Sequence, residues 1–223
     1  MANERNFLAM RVLLALTFAA LAGATQASDG RPPEPSSCQF TAFVEETDPA
    51  GLNVRAAPSA SAKVLGTLPP VWSDRSGLRV RARVSVTASA KGWFKIRDAV
   101  DDDMLTGQPP RPTYQGEGWV SGRKLVVKSQ ANIGRTGPVA SAPEAVRLKD
   151  DLLFDGDAAI AAGRLVDCRG DWAQVEYEEA RFSAGLRSLL ITAPAVRADV
   201  RKGRFRVWLD RICGIQETSC DGP

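Results

Sequence analysis

Leu78-Arg79-Val80-Arg81-Ala82-Arg83-Val84-Ser85-Val86-Thr87 alternates apolar and polar side chains without a break. Successive side chains of a strand point to opposite faces. Leu78, Val80, Ala82, Val84 and Val86 therefore share one face, and the three arginines share the other with Ser85 and Thr87. Gly203 to Leu209 repeats the pattern, with Phe205, Val207 and Leu209 opposite Arg204, Arg206 and Trp208. Gly and Pro punctuate the chain between such runs, and only residues 179–191 carry a short helical reading. The fold class is all-β.

Outward from these strands, the N-terminus reads as a secretory signal over residues 1–27. Arg5 and Arg11 form a positive n-region, Val12 to Ala24 is apolar, and small residues follow. Cleavage is expected after Ala27, with Ala24 as a competitor. The apolar run is shorter than the roughly 20 residues a spanning helix needs, so no stable membrane insertion is expected. A Pro-rich leader follows at 28–37. Residues 129–145, poor in apolar side chains and holding Gly134, Gly137, Pro138 and Pro143, read as a flexible linker. Two small domains are expected on either side, over 38–128 and 146–220.

All four cysteines, Cys38, Cys168, Cys213 and Cys220, follow the signal. An even count in an exported chain favours two disulfides, and four cysteines allow three connectivities. Cys213 and Cys220 flank a turn-like Gly-Ile-Gln-Glu-Thr-Ser, which favours a local bridge and leaves Cys38 with Cys168. A cysteine zinc site lacks any C-x-x-C spacing, so no metal is expected.

The chain contains no histidine. Ser-His and Cys-His nucleophiles and His-containing metal sites are thereby excluded, and no carboxylate, Lys or Ser stands in a diagnostic spacing. No enzyme activity and no cofactor are expected. Asp101-Asp102-Asp103 lacks the spaced ligands, central Gly and closing Glu of an EF-hand and reads as a solvated loop. Losing Arg5, Arg11 and Glu4 with the signal takes the net charge from +3 to +2, too near balance to point to nucleic acid.

Gly51-Leu52-Asn53-Val54-Arg55-Ala56-Ala57-Pro58-Ser59, then Leu65-Gly66-Thr67-Leu68, Gly92-Trp93-Phe94-Lys95-Ile96 and Gly118-Trp119-Val120-Ser121-Gly122 together resemble the bacterial SH3 (SH3b-like) domain family over 51–127. The second segment resembles it more faintly. Ala162-Gly163-Arg164-Leu165 echoes the Leu65 motif, Gly170-Asp171-Trp172-Ala173-Gln174-Val175 the Gly92 motif, and Val207-Trp208-Leu209 the Trp119 motif. The Asn-Val-Arg opening has no match near Leu152–Asp157, and Val207 replaces the Gly before the last Trp. The resemblance implies two small SH3-like β-barrels. It also implies a stand-alone binding module, periplasmic or secreted, whose partner is cell-wall peptidoglycan (peptide or glycan) or another envelope protein that it positions or restrains.

Alternation places Trp93 with Lys95 and Arg97, Trp172 with Gln174 and Glu176, and Trp208 with Arg204 and Arg206, all away from the apolar face. Exposed aromatics on a rigid sheet give large contact area at low entropic cost. A bent sheet, or arginines lying on the indoles, would explain the same pattern without a ligand. The candidate ligand-binding residues are Trp93, Trp172 and Trp208, with Trp119 and with Tyr114 of the long 98–115 connection. The six Arg and Lys from Arg197 to Arg211 read as a solvated strand edge.

Overall fold

The computed structural model describes residues 34–101, 103–197 and 201–216, and its strand ladders are all antiparallel. The first segment contributes β1 (Ser36–Val44), β2 (Leu52–Arg55), β3 (Val64–Leu68), β4 (Trp72–Ser73), β5 (Arg79–Val80), β6 (Arg83–Ala90), β7 (Trp93–Val100), the short α1 (Asp103–Thr106), β8 (Gly118–Ser121) and β9 (Leu125–Val126). The second contributes β10 (Lys128–Ser129), β11 (Ile133–Arg135), β12 (Glu144–Leu148), α2 (Asp157–Ala162), β13 (Gly163–Arg169), β14 (Trp172–Glu178), α3 (Ala184–Ser188), β15 (Leu190–Thr192), β16 (Arg204–Leu209) and β17 (Ile212–Cys213). Helix α3 falls inside the expected 179–191 window, and Ser183 caps it by accepting from the Leu186 amide. The expected signal, residues 1–27, and Cys220 lie outside the described residues.

The protein is all-β in class. A seven-stranded sheet runs β3-β2-β8-β7-β6-β1-β9 and a six-stranded sheet runs β13-β14-β16-β11-β12-β15; neither closes into a barrel. Within these orders lies a repeat. The series β3-β2-β8-β7-β6 and β12-β11-β16-β14-β13 connect corresponding hairpins in the same sequence and pair them in the same order.

The repeat corrects the reading of 129–145 as a linker. Those residues hold the end of β10, all of β11 and the start of β12, and the last two belong to the opening hairpin of the second unit. In the first unit Arg55 Nη1 donates to the Ala62 carbonyl (2.8 Å) and the Ala56 amide to that of Lys63 (2.9 Å). In the second, Arg135 Nη1 donates to Ala142 (2.9 Å) and the Thr136 amide to Pro143 (3.0 Å). Both hairpins carry a register shift beside the Arg. The echo drawn from Ala162–Leu165 to Leu65–Leu68 is also corrected, because β13 corresponds to β6, and β3 corresponds to β12.

A volume exchange explains both departures from the motif. In the first unit Val54 points inward, opposite Gly66, and a Cβ on Gly118 would lie 2.4 Å from Val54 Cγ1. The second unit inverts the sizes. Gly134 stands in the Val54 position, Val146 faces it, and Val207 replaces the glycine before the Trp. A Cβ on Gly134 would meet Val146 Cγ1 at 2.7 Å and Val207 Cβ at 2.9 Å. One strand must be bare wherever its neighbours approach so closely.

One hydrophobic cluster runs through both sheets, from Ala42, Val54, Phe94 and Ile96 to Val146, Leu165, Val175 and Phe205. Tyr177 stacks against Phe205 at 5.3 Å and lies 5.5 Å from both Phe154 and Phe182; burial pushes its hydroxyl pKa up. The expected Cys38–Cys168 disulfide is present and joins β1 to β13, with Cα atoms 5.7 Å apart. Beside it the Gln39 amide donates to the Gly170 carbonyl and the Gly170 amide to that of Ser37, both at 2.8 Å, while Ser89 Oγ donates to Asp167 at 2.5 Å. Gly122 sits at the same junction, where a Cβ would lie 2.4 Å from both the Leu165 carbonyl oxygen and Phe94 Cε2. Cys213 is disulfide-bonded as well.

The run Leu78–Thr87 keeps Val80, Ala82, Val84 and Val86 buried, but Leu78, which precedes β5, is exposed, and Arg81 departs from the outward face. Its side chain is 2 % exposed, held by Glu45 at 2.6 Å. The Gln216 side chain pairs with its peptide group, accepting from the amide and donating to the carbonyl at 2.8 Å each. Returning chain from the C-terminal side covers the face that alternation assigns to solvent.

Candidate aromatic binding face

On β7, Phe94 and Ile96 point into the core, so Trp93, Lys95 and Arg97 point out. Across the ladder, Trp93 lies opposite Ser121, and Lys95 lies opposite Trp119, which itself faces Arg55 of β2. The second sheet repeats this arrangement. Trp172 begins β14, Gln174 lies opposite Trp208, and Trp208 faces Arg135 of β11. Two tryptophans thus occupy matching ladder positions on the outward face of each sheet, with an arginine opposite the second of each pair.

The degree of exposure differs from expectation. Trp93, Trp119 and Trp172 are half-buried rather than free. Trp208 is corrected more sharply, being only 7 % exposed. Alternation does turn it outward, opposite Gln174 of β14 and Arg135 of β11, yet it is covered, whereas the matching Trp119, opposite Lys95 and Arg55, stays half-buried. The expected strand edge is corrected at β16, which is an interior strand, and Arg204 and Arg206 spend their charge on Glu176 at 2.8 and 2.7 Å.

Tyr114 is half-buried against the core instead of standing on an open loop. Its ring fills the space above two glycines, so that a Cβ on Gly66 would lie 2.5 Å from Cδ2 and one on Gly116 2.4 Å from the hydroxyl oxygen. Its amide donates to the Thr67 carbonyl at 3.2 Å. The connection that carries it is pinned at Asp101, which is buried and not solvated as expected. Arg111 donates to Asp101 from its amide, Nε and Nη2 at 2.8, 2.9 and 2.6 Å. Asp102 lies outside the described residues.

Charge on the two faces is organised differently. In the first sheet Lys95 bonds Glu117 at 2.6 Å, and that hydrogen bond, followed by the Lys95 and Arg97 charges, holds the Glu117 carboxyl below its ordinary range. In the second, burial pushes Glu176 up, but hydrogen bonds and charge from Arg204 and Arg206 outweigh it and leave the carboxyl lowered. A depressed folded-state pKa gives stability that is present above the unfolded value and lost as pH falls through the folded one. Glu176→Gln should therefore cost about 1 kcal/mol at neutral pH, given the partial exposure of both arginines. The difference from wild type should begin to shrink as pH falls below about 4.5 and vanish once pH is below the lowered folded-state value, which thermal melts across a pH series will show.

The outward phasing makes a second comparison possible. Phe94→Ala should lower stability by about 3–5 kcal/mol because the ring is fully buried, whereas Trp93→Ala should cost clearly less. Equal melting temperatures for the two variants would put Trp93 in the core. Among the described residues no helix is long and apolar enough to cross a membrane. Compared with protein-family models, with curated proteins and with solved structures, the chain matches none.

Proposed function

We propose that this chain is an exported, non-enzymatic binding protein made of two SH3-like units, and that it recognises cell-wall peptidoglycan through its peptide or glycan. The observation that carries the reading is the half-exposed tryptophan pair Trp93 and Trp119 on the outward face of the first sheet, with the half-exposed Trp172 at the position of the second sheet that matches Trp93. Flat, rigid aromatic groups give large contact area at low entropic cost, and a polymer is well met by several of them presented together. The formed disulfides support an oxidising compartment. Incubating the purified protein with insoluble peptidoglycan tests the reading. Retention without any added protein is expected, and complete recovery in the supernatant overturns it.

A second reading, an adaptor that positions or restrains another envelope protein, is favoured by the sheet margins. The outermost β3 exposes Val64 and Leu65, and the outermost β15 exposes Ile191 at 48 %. An open margin with apolar side chains can accept an added strand from a partner. Retention by the wall only after envelope proteins are added back is the outcome of this reading.

A further inference from the structure

We propose that the outward face of the first sheet holds a carboxylate-binding subsite, centred on Arg97, that anchors an acidic chain lying across Trp119 and Trp93. The proposal rests on the wall-binding reading and adds the chemical group that is recognised. Its basis is a row of the ladder next to the aromatic one: Thr41 of β1 lies opposite Ser85 of β6, and Ser85 opposite Arg97 of β7. The following row runs Ala88, Lys95, Trp119, Arg55. An open depression of about 520 Å³ lies on the Thr41–Ser85–Arg97 row, lined by Gln39, Phe40, Thr41, Ser85, Thr87 and Arg97 among others. It forms where register shifts interrupt the ladder, between Ser37 and Phe40 on β1 and between Val86 and Ala88 on β6. Such bulges open a sheet surface and re-aim its side chains.

The donors suit a carboxylate. Arg97 is 55 % exposed and meets Asp98 through Nε at 3.3 Å, while its two terminal nitrogens have no hydrogen-bond partner among the described residues. Those nitrogens present a planar fork, the geometry that binds a carboxylate through two parallel bonds. The Thr41 and Ser85 hydroxyls likewise have no partner among the described residues and can donate to the same anion; Thr87 Oγ1 donates to the Lys95 carbonyl at 3.3 Å. Arg55, Arg83, Lys95 and Arg97 stand on this face against Glu117 and Asp98, so it keeps a positive excess. The second sheet offers no equivalent. Glu176 takes the place of Arg97 there, already paired with Arg204 and Arg206, and Trp208 is buried.

The test compares native insoluble peptidoglycan with the same material after its carboxyl groups are converted to amides by carbodiimide and ammonia. Wild-type protein should bind the amidated wall roughly tenfold more weakly, the loss expected for one charge-assisted contact. Arg97→Gln should bind native wall at that lower level and be indifferent to amidation, and Arg97→Lys should recover part of the affinity. Glu117→Gln, which frees Lys95, should tighten binding to the native wall and leave binding to the amidated wall unchanged. The side chain is exposed, so the Arg97 variants should melt with wild type. Equal wild-type retention on both walls, or an Arg97→Gln protein still sensitive to amidation, overturns the subsite while leaving wall binding in place. Absence of wild-type retention on native wall rejects wall binding and the subsite with it.

Discussion

Replacing Cys38 and Cys168 together by alanine should lower stability by about 4–5 kcal/mol, and the melting temperature by about 10–15 °C. The bridge joins residues separated by 130 positions, so in its absence the unfolded chain regains the entropy of a very long loop. Both sulfurs are also buried, at 5 % and 0 % residue exposure, and alanine leaves part of that volume empty. The native contacts around the bridge survive the substitution. The backbone bonds between Ser37, Gln39 and Gly170 and the Ser89–Asp167 bond still connect β1 with β13. The variant is therefore expected to fold to the same structure with a lower transition midpoint, as denaturant titration followed by tryptophan fluorescence will show. A midpoint within experimental error of wild type would mean that the shared core alone holds the two sheets together.

Glu45→Gln should cost about 3–5 kcal/mol, the loss expected when a buried ion pair is deprived of one charge. Glu45 is 8 % exposed and holds two cations, Arg81 through Oε2 and Arg79 through Oε1, each at 2.6 Å. Arg81 has little else to replace it. Asp157 lies at the limit of an ion pair, 4.0 Å away, and Arg81 Nη2 has no hydrogen-bond partner among the described residues. The amide keeps the shape of Glu45 but leaves a guanidinium charge in the interior without its counter-charge. Replacing both partners by apolar residues, Glu45→Leu with Arg81→Met, should lose much less, because no buried charge remains. Urea unfolding of the two proteins separates these cases. A double variant as unstable as Glu45→Gln would show that packing around Arg81, not its charge, is what Glu45 supports.

These two sites mark the boundary of what the sequence could convey. The strand face was legible wherever alternation alone decided it. Val80, Ala82, Val84 and Val86, and likewise Phe205, Val207 and Leu209, are buried as their spacing requires, because the pleat turns every second side chain the same way. The outward phasing of Trp93 and Trp172, the all-β class and the Cys38–Cys168 pairing were readable on comparable grounds. The second opening hairpin was readable in principle, since Arg55, Pro58, Ser61 and Ala62 recur as Arg135, Pro138, Ser141 and Ala142 in the same spacing. It was masked by Gly134, whose missing side chain erases the alternation and makes a packed strand resemble a linker.

Coverage, by contrast, is a property of distant chain. Alternation states which way a side chain points but not what comes to lie over it. Arg81 is sealed by Glu45 from 36 positions before it and by Gln216 from 135 positions after it. Trp208 is buried where its counterpart Trp119, at the matching ladder position, is not, and Asp101 is drawn out of solvent by Arg111 across a loop. The depression beside Arg97 exists only because β1, β6 and β7 meet with interrupted register. The sequence by itself determined the strands and their faces, since the pleat is local; the tertiary structure alone decided which outward groups are buried, paired or open to a ligand, since burial depends on what other parts of the chain bring alongside.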